Sequence, residues 1–278
     1  MKINEIIKKG IDELKENNIE EPILKMRILV ANIINKNKEY ITTHGEDVLD
    51  EDSKKEILSG IDKLKKHLPI QYITKNQEFM KLKFYVNENV LIPRSDTEIL
   101  VEEVINTYKN EKVKILDLCT GSGCIAISLK KYIPNAIVYA SDISKPALNV
   151  AKINSTNNNV EIKFICSDMF KNIGKNRFDV IVSNPPYIKR KIINTLDEEV
   201  KNEPIIALDG GNDGLNFYRE IIKQSYEYLT QNGMIFLEIG YDQKEELIEL
   251  IREAKRYEFI KAKRDLGNND RIVVIRKV

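Results

Sequence analysis

The chain has 278 residues, 42% of them hydrophobic, which is enough for two domains or one large one and excludes wholesale disorder. Its 44 basic and 43 acidic residues leave a net charge of +1, which excludes a protein held on nucleic acid by bulk electrostatics. Cys119, Cys124 and Cys166 are odd in number and share no metal-ligand spacing, and the only histidines are His44 and His67, so reduced thiols and no metal site are expected.

The first residues, Met1-Lys2-Ile3-Asn4-Glu5, lack an apolar signal core, and no run of about 18 apolar residues follows. A soluble cytoplasmic protein without a membrane partner is expected. Ile3, Ile6, Ile7, Ile11 and Leu14 mark one face of a first helix. Pro22 opens a second, since proline suits the first helical turn. An acidic start over 50–56 begins another, with Ser53 and Glu56 at capping-box spacing. Up to Lys75 there are 14 basic and 14 acidic residues and no strand pattern. This predicts a helical domain over 1–75 whose neutral charge suits protein contact or a structural cap better than nucleic acid. Two short apolar runs around Phe79 and Phe84 predict a β-hairpin linker over 76–92. In the following Leu91-Ile92-Pro93-Arg94-Ser95-Asp96-Thr97-Glu98, Ser95 or Asp96 is placed to cap the next helix.

From Val113 strands and helices alternate, as a parallel α/β sheet requires. Strands are predicted over 114–118, 137–141, 161–165, 179–183, 234–238, 258–263 and 271–275, with helices over 125–132, 146–154 and 217–229 among those between them. The fold class is therefore α/β over 93–278, a seven-stranded, mostly parallel sheet whose last two strands form an antiparallel pair.

Phe178-Asp179-Val180-Ile181-Val182-Ser183 reads as a strand buried on both faces. It is stopped by Asn184-Pro185-Pro186-Tyr187, because neither proline has an N–H for a ladder. Open α/β sheets bind ligands at such carboxyl ends. Asn184 offers a side-chain oxygen, Pro185 a backbone carbonyl, and Tyr187 a flat wall, with Pro186 fixing the backbone. Together they suit a planar –NH₂ group.

A second constellation starts at Asp117-Leu118-Cys119-Thr120-Gly121-Ser122-Gly123, a strand running into a glycine-rich turn and then a helix. Asp142 follows Gly121 by 21 residues, at the end of the next strand, where a carboxylate can accept both ribose hydroxyls. The full G-x-G-x-x-G spacing is missing, and Asp117 would repel a pyrophosphate. An acid there suits a ligand with an ammonium and no phosphate, and S-adenosyl-L-methionine is such a ligand. Asp168 is placed to face its adenine amino group and Met169 to pack on the ring.

These stretches resemble the motifs of class I methyltransferases acting on amino groups. More narrowly, Pro69-Ile70-Gln71-Tyr72-Ile73, the 92–98 stretch, Ala207-Leu208-Asp209-Gly210-Gly211-Asn212-Asp213-Gly214-Leu215 and Arg264-Asp265-Leu266-Gly267-Asn268-Asn269-Asp270-Arg271 resemble the PrmC/HemK protein-glutamine methyltransferases. The resemblance implies a Rossmann-like fold and N5-methylation of the glutamine in the Gly-Gly-Gln motif of peptide chain release factors. It also implies that the helical domain helps hold that substrate. Cys119 stands where a glycine is common, Ser95 where a proline is common, and Met169 where some members carry Trp.

On this reading Asp117, Cys119, Thr120, Gly121, Ser122, Gly123, Asp142, Asp168, Met169 and Asn184 hold the cofactor. Asn184, Pro185, Pro186 and Tyr187 hold the target amide, with Asn184, Pro185 and Tyr187 the catalytic set. A monomer is expected. The residues alone leave open a nucleic-acid amino methyltransferase, a ribosomal-protein glutamine methyltransferase and a cofactor-binding sensor. The neutral charge and the lack of a target-recognition insert speak against the first, and the intact Asn184 against the last.

Overall fold

The computed structural model describes all 278 residues. The chain divides into two compact units, Met1–Asn76 with Asp197–Asn202, and Gln77–Leu196 with Glu203–Val278.

The smaller unit is helical: α1 (Ile3–Glu16), α2 (Pro22–Ile33), α3 (Lys38–Thr43), α4 (Glu51–Leu64) and α5 (Ile70–Thr74). Ile6, Leu14, Met26, Leu29, Ile57 and Ile61 interleave in its core. Gly10 and Gly60 permit that closeness, because an added Cβ would stand 2.4 Å from Met26 Cε and 2.6 Å from a Leu29 methyl. The cap of α4 differs from the expected box: Asp50 is the N-cap, its Oδ1 accepting from Ser53 N at 2.8 Å. A later segment completes the unit. The single-turn α9 (Glu198–Lys201) pairs Glu199 with Lys25, and Asn202 Nδ2 donates to the His67 carbonyl at 3.0 Å. No local pattern in 197–202 announces this long-range return.

The larger unit begins with the hairpin β1 (Gln77–Phe79) and β2 (Leu82–Phe84), followed by α6 (Ser95–Tyr108). The N-cap of α6 is Arg94, which makes no side-chain cap, so neither Ser95 nor Asp96 fills that role. Then come β3 (Lys114–Leu118), α7 (Cys124–Tyr132), β4 (Ile137–Asp142), α8 (Lys145–Asn157), β5 (Lys163–Cys166), β6 (Phe178–Ser183), α10 (Asn216–Gln224), β7 (Leu229–Glu238), α11 (Lys244–Ala254), β8 (Tyr257–Arg264) and β9 (Asp270–Lys277). All seven expected strands are present in one sheet of order β5-β4-β3-β6-β7-β9-β8. The first five run parallel, and β9 is inserted antiparallel between β7 and β8.

Several boundaries differ from expectation. The helix predicted over 217–229 ends at Gln224, followed by a 3₁₀ turn, and β7 starts at Leu229 instead of 234. Leu229 is already aligned with Phe178 on β6, but the register slips before Met234 aligns with Val180, and Asn232 is left-handed at φ 62° in that irregularity. β5 starts at Lys163, two residues later than the predicted 161.

Alternate residues of the sheet feed opposite layers. Ile115, Val180 and Phe236 pack with Leu100, Val104 and Ile127 on one side. Leu116, Ile181 and Leu237 pack with Tyr218, Ile221 and Leu247 on the other. Burial of each such aliphatic chain contributes roughly 1.5–3 kcal/mol. This is a Rossmann-like, doubly wound architecture. Strand order reverses between β3 and β6, which places a crevice at their carboxyl ends.

Candidate active site

The β3 and β6 termini are held in register, Leu118 opposite Ser183, and the Ser183 hydroxyl donates to the Leu118 carbonyl at 2.7 Å. Both loops leaving this seam face one cavity. It is lined by Cys119 and Gly121 after β3, Asp142 at the end of β4, Asp168 and Met169 after β5, and Asn184 and Pro186 after β6. Seven of the sequence-predicted site residues are thus brought together.

The β3 loop makes its space with left-handed backbone. Cys119, Gly121 and Gly123 have φ of 60°, 52° and 81°. A Cβ at Gly121 would meet nothing within 4 Å, whereas one at Gly123 would press on Ala151 and Ile127 at 3.0 Å. Gly121 therefore leaves open volume for a ligand, and Gly123 lets α7 approach α8.

Asp142 organises this loop as well as facing the cavity. Its Oδ2 accepts from Gly121 N and its Oδ1 from Ser144 N, each at 2.9 Å. Burial raises its proton affinity, and the backbone N–H groups of Ser144 and Gly121 oppose that rise. Asp168 is half-exposed and paired with Lys171. Beside it, the Ser167 hydroxyl donates to the Met169 carbonyl at 2.8 Å and accepts from Asn172 N at 2.9 Å, fixing the turn that carries Met169 at φ 47°.

Asp117, Thr120, Ser122 and Gly123 do not line the cavity. They are buried behind it, and Pro185 and Tyr187 also lie off its wall. Asp117 was expected to face a cationic ligand. Instead its Oδ2 accepts from the Thr120 hydroxyl at 2.6 Å and from Ala126 N at 3.2 Å, which ties the loop to α7. Its Oδ1 is buried without a hydrogen-bond partner. Burial pushes its carboxyl up to about 7. The Cys119 thiol is likewise pushed up, by burial first and then by the charges of Asp142 and Asp117.

Asn184 is half-buried, and its Nδ2 donates to Thr97 Oγ1 at 3.1 Å. The Tyr187 hydroxyl donates to Glu238 Oε1 at 3.3 Å. The 207–215 stretch braces the same turn: Ile188 N donates to the Leu208 carbonyl and Gly210 N to the Ile188 carbonyl. A Cβ at Gly210 would stand 2.7 Å from the Tyr187 backbone, so only glycine fits there. Gln243 Nε2 donates to the Tyr187 carbonyl at 3.0 Å and the Gly214 carbonyl at 3.2 Å.

Sequence reasoning missed Thr97, Glu238 and Gln243 as parts of this site. A glutamate closing the apolar run of β7 was the one available signal. It also missed the outer wall, Asn89–Leu91 and Pro204, Ile206, Ala207 and Phe217.

The cavity lining holds two aspartates and no lysine, arginine or histidine. Such a donor set fits a cationic, phosphate-free ligand, and the open volume at Gly121 is a cradle for it.

Two family profiles match the chain, a methyltransferase small domain over residues 95–200 and a PrmC N-terminal domain over residues 5–74. The release factor glutamine methyltransferase of Clostridium acetobutylicum is 41% identical over 280 residues, covering 99% of this chain and 98% of its own. That of Clostridium botulinum is 38% identical over 283 residues, with full coverage of both chains. This chain belongs to the release factor glutamine methyltransferase family. Among solved structures, a methyltransferase of Pyrococcus furiosus matches 82% of this chain and 99% of its own, with a TM-score of 0.54 at 19% identity, which supports the fold. No helix of this family member is long and apolar enough to cross a membrane.

Proposed function

We propose that the protein transfers the methyl group of S-adenosyl-L-methionine to the side-chain amide nitrogen of the glutamine in the Gly-Gly-Gln motif of peptide chain release factors. The observation that carries this is the meeting of Asn184 and Pro186 with Gly121, Asp142 and Met169 around one cavity.

The cofactor supplies an electrophilic methyl on a sulfonium. Asp142 would hold its ribose, and Asp168 and Met169 its adenine, with Gly121 leaving room. Asp117 would act one layer back, by holding the Thr120–Ala126 turn.

A glutamine amide is a poor nucleophile, because its nitrogen lone pair is delocalised into the carbonyl. As the nitrogen bonds to the methyl it pyramidalises and gains positive charge. Acceptors on its hydrogens, Asn184 Oδ1 and the Pro185 carbonyl, then strengthen most. They also aim the nitrogen, so positioning supplies much of the rate. No strong base is required, since the methylated cationic amide sheds its proton readily.

The helical unit would dock the body of the release factor, offering exposed Ile23 and Leu24 at the start of α2. Replacing both with serine should leave the rate on a Gly-Gly-Gln peptide unchanged and lower it on an intact factor. An equal loss on both would remove the docking role. The reaction would take place in the cytoplasm, with the protein as a monomer.

The reading as a whole is tested by incubating the protein with methyl-labelled S-adenosylmethionine and a cell extract. Label in a release factor is expected. Label in RNA, DNA or a ribosomal protein would replace this reading.

A further inference from the structure

Side chains from two segments meet behind the Asn-Pro-Pro-Tyr turn without lining the cavity. Thr97, near the start of α6, is 2% exposed, and its Oγ1 accepts from Asn184 Nδ2. Glu238, at the end of β7, is also 2% exposed. Its Oε1 takes the Tyr187 hydroxyl, and its Oε2 is buried with no hydrogen-bond partner. The Thr97 hydroxyl is a polar group facing this carboxylate.

A threonine hydroxyl has one proton, and an ionised carboxylate can only accept. With Glu238 ionised, the Thr97 proton is drawn toward it, and Oγ1 has only lone pairs left for Asn184. The Asn184 amide must then turn Nδ2 to Thr97 and Oδ1 away from it. With Glu238 neutral, Thr97 can donate to Oδ1 or accept from Nδ2, and both orientations of the amide are satisfied. In the flipped one a donor would face the target –NH₂, which cannot accept from it.

We infer that Thr97 and Glu238 are positioning residues that fix which atom of the Asn184 amide faces the methyl-accepting nitrogen, an inference that rests on the acceptor role proposed for Asn184. Neither touches the reacting atoms. Tyr187, held by the same carboxylate, keeps the turn in place.

The groups facing Glu238 set when this works. Burial disfavours its charge most, the Thr97 and Tyr187 hydroxyls and Arg271 on β9 favour it, and Asp96 on α6 opposes it. The Tyr218 hydroxyl on α10 and the Cys124 thiol on α7 also feel its charge. The net result is a carboxyl pushed up to about 7. The ionised, direction-setting form therefore grows as pH rises through about 7, and kcat should rise with it.

The test compares wild type with Thr97→Val, Thr97→Ser and Glu238→Gln on a Gly-Gly-Gln peptide at saturating S-adenosylmethionine. Cofactor affinity is followed by calorimetry, because Asp117 titrates in the same range. Thr97→Val should lower kcat roughly tenfold, the worth of one hydrogen bond, with peptide KM and cofactor affinity little changed. Thr97→Ser should restore it. Glu238→Gln should lower kcat and flatten its rise near neutral pH.

A second readout needs no methyl transfer. In protein labelled with ¹⁵N-asparagine, the Asn184 side-chain amide pair, assigned by its loss in Asn184→Asp, should shift with a midpoint near pH 7. Glu238→Gln should abolish that shift. If the shift is present but glutamine is never methylated, the proposed function fails and the positioning stands. An Asn184 pair indifferent to both pH and Thr97→Val, or a wild-type kcat in Thr97→Val, would overturn the inference.

Discussion

Two loops leave adjacent strands at the same end of the sheet and solve opposite problems. The loop after β3 takes left-handed backbone at Cys119, Gly121 and Gly123 and has open space where a Gly121 side chain would be. The loop after β6 has two prolines and is clamped by Gly210, Gln243 and Thr97. The first holds a concavity open, and the second holds one amide still. A bound ligand needs room, and a weak nucleophile needs aim. In each loop a buried carboxylate stands behind the wall, Asp117 behind the first and Glu238 behind the second, each with one oxygen unpartnered.

The sharpest way to separate the two loops is to remove one function from each. Asn184→Ala deletes an acceptor that strengthens only as the nitrogen gains charge. Single preorganised groups of this kind are typically worth about 10²–10³ in kcat. Steady-state kinetics should show a loss of that order with a much smaller change in cofactor affinity. Asp142→Ala should do the reverse. Hydrogen bonds to a charged group contribute about 1.5–3 kcal/mol, so calorimetry should find the affinity for S-adenosylmethionine lowered roughly tenfold or more. Far-ultraviolet circular dichroism should be unchanged.

The buried carboxylates give the comparison a pH dependence. A folded-state value raised to about 7 means that the folded protein holds this proton more tightly than the unfolded chain does. The associated stability is complete below the unfolded carboxylate value of about 4 and is lost as pH rises through about 7. Urea unfolding should therefore show both groups eroding stability between about pH 4 and 7. Asp117→Asn, uncharged throughout, should remove its share, on the order of a few kcal/mol, and leave that of Glu238. An unchanged slope in Asp117→Asn would mean that Asp117 is ionised in the folded protein. The smallest effect is expected at Cys119, whose φ of 60° is costly for a residue with a Cβ. Cys119→Gly should change stability by about 1 kcal/mol or less, because relief of the left-handed strain is offset by the greater entropy of glycine in the unfolded chain. Thermal unfolding resolves a difference of that size.

Much of this was legible because it follows from local chemistry. Strand β6 and its double-proline stop, the glycine turn and Asp142 are written in consecutive residues. The positions that sequence patterns misjudged depend on how the chain packs and not on residue type and spacing alone. Asp117 has the right type and spacing for a ligand-facing acid, but only the path of α7 shows that Thr120 and Ala126 take its Oδ2. Thr97 and Glu238 lie 141 residues apart and meet only through folding. The return of residues 197–202 to the helical unit, sealed by Lys25 and Glu199, carries no periodic signal at all. The early start of β7 was hidden by Asn232-Gly233, which breaks the register between Leu229 and Met234 without ending the strand.

The most direct test of the account is methyl transfer to a defined Gly-Gly-Gln peptide, with fragment mass spectrometry locating the methyl, in wild type, Asn184→Ala and Asn184→Asp. Aspartate keeps an acceptor of nearly the same shape but adds charge to a site built for a neutral amide. The account predicts methyl on the glutamine side-chain nitrogen, at rates falling from wild type through Asn184→Asp to Asn184→Ala. Equal rates in all three, with the methyl on that same nitrogen, would contradict it.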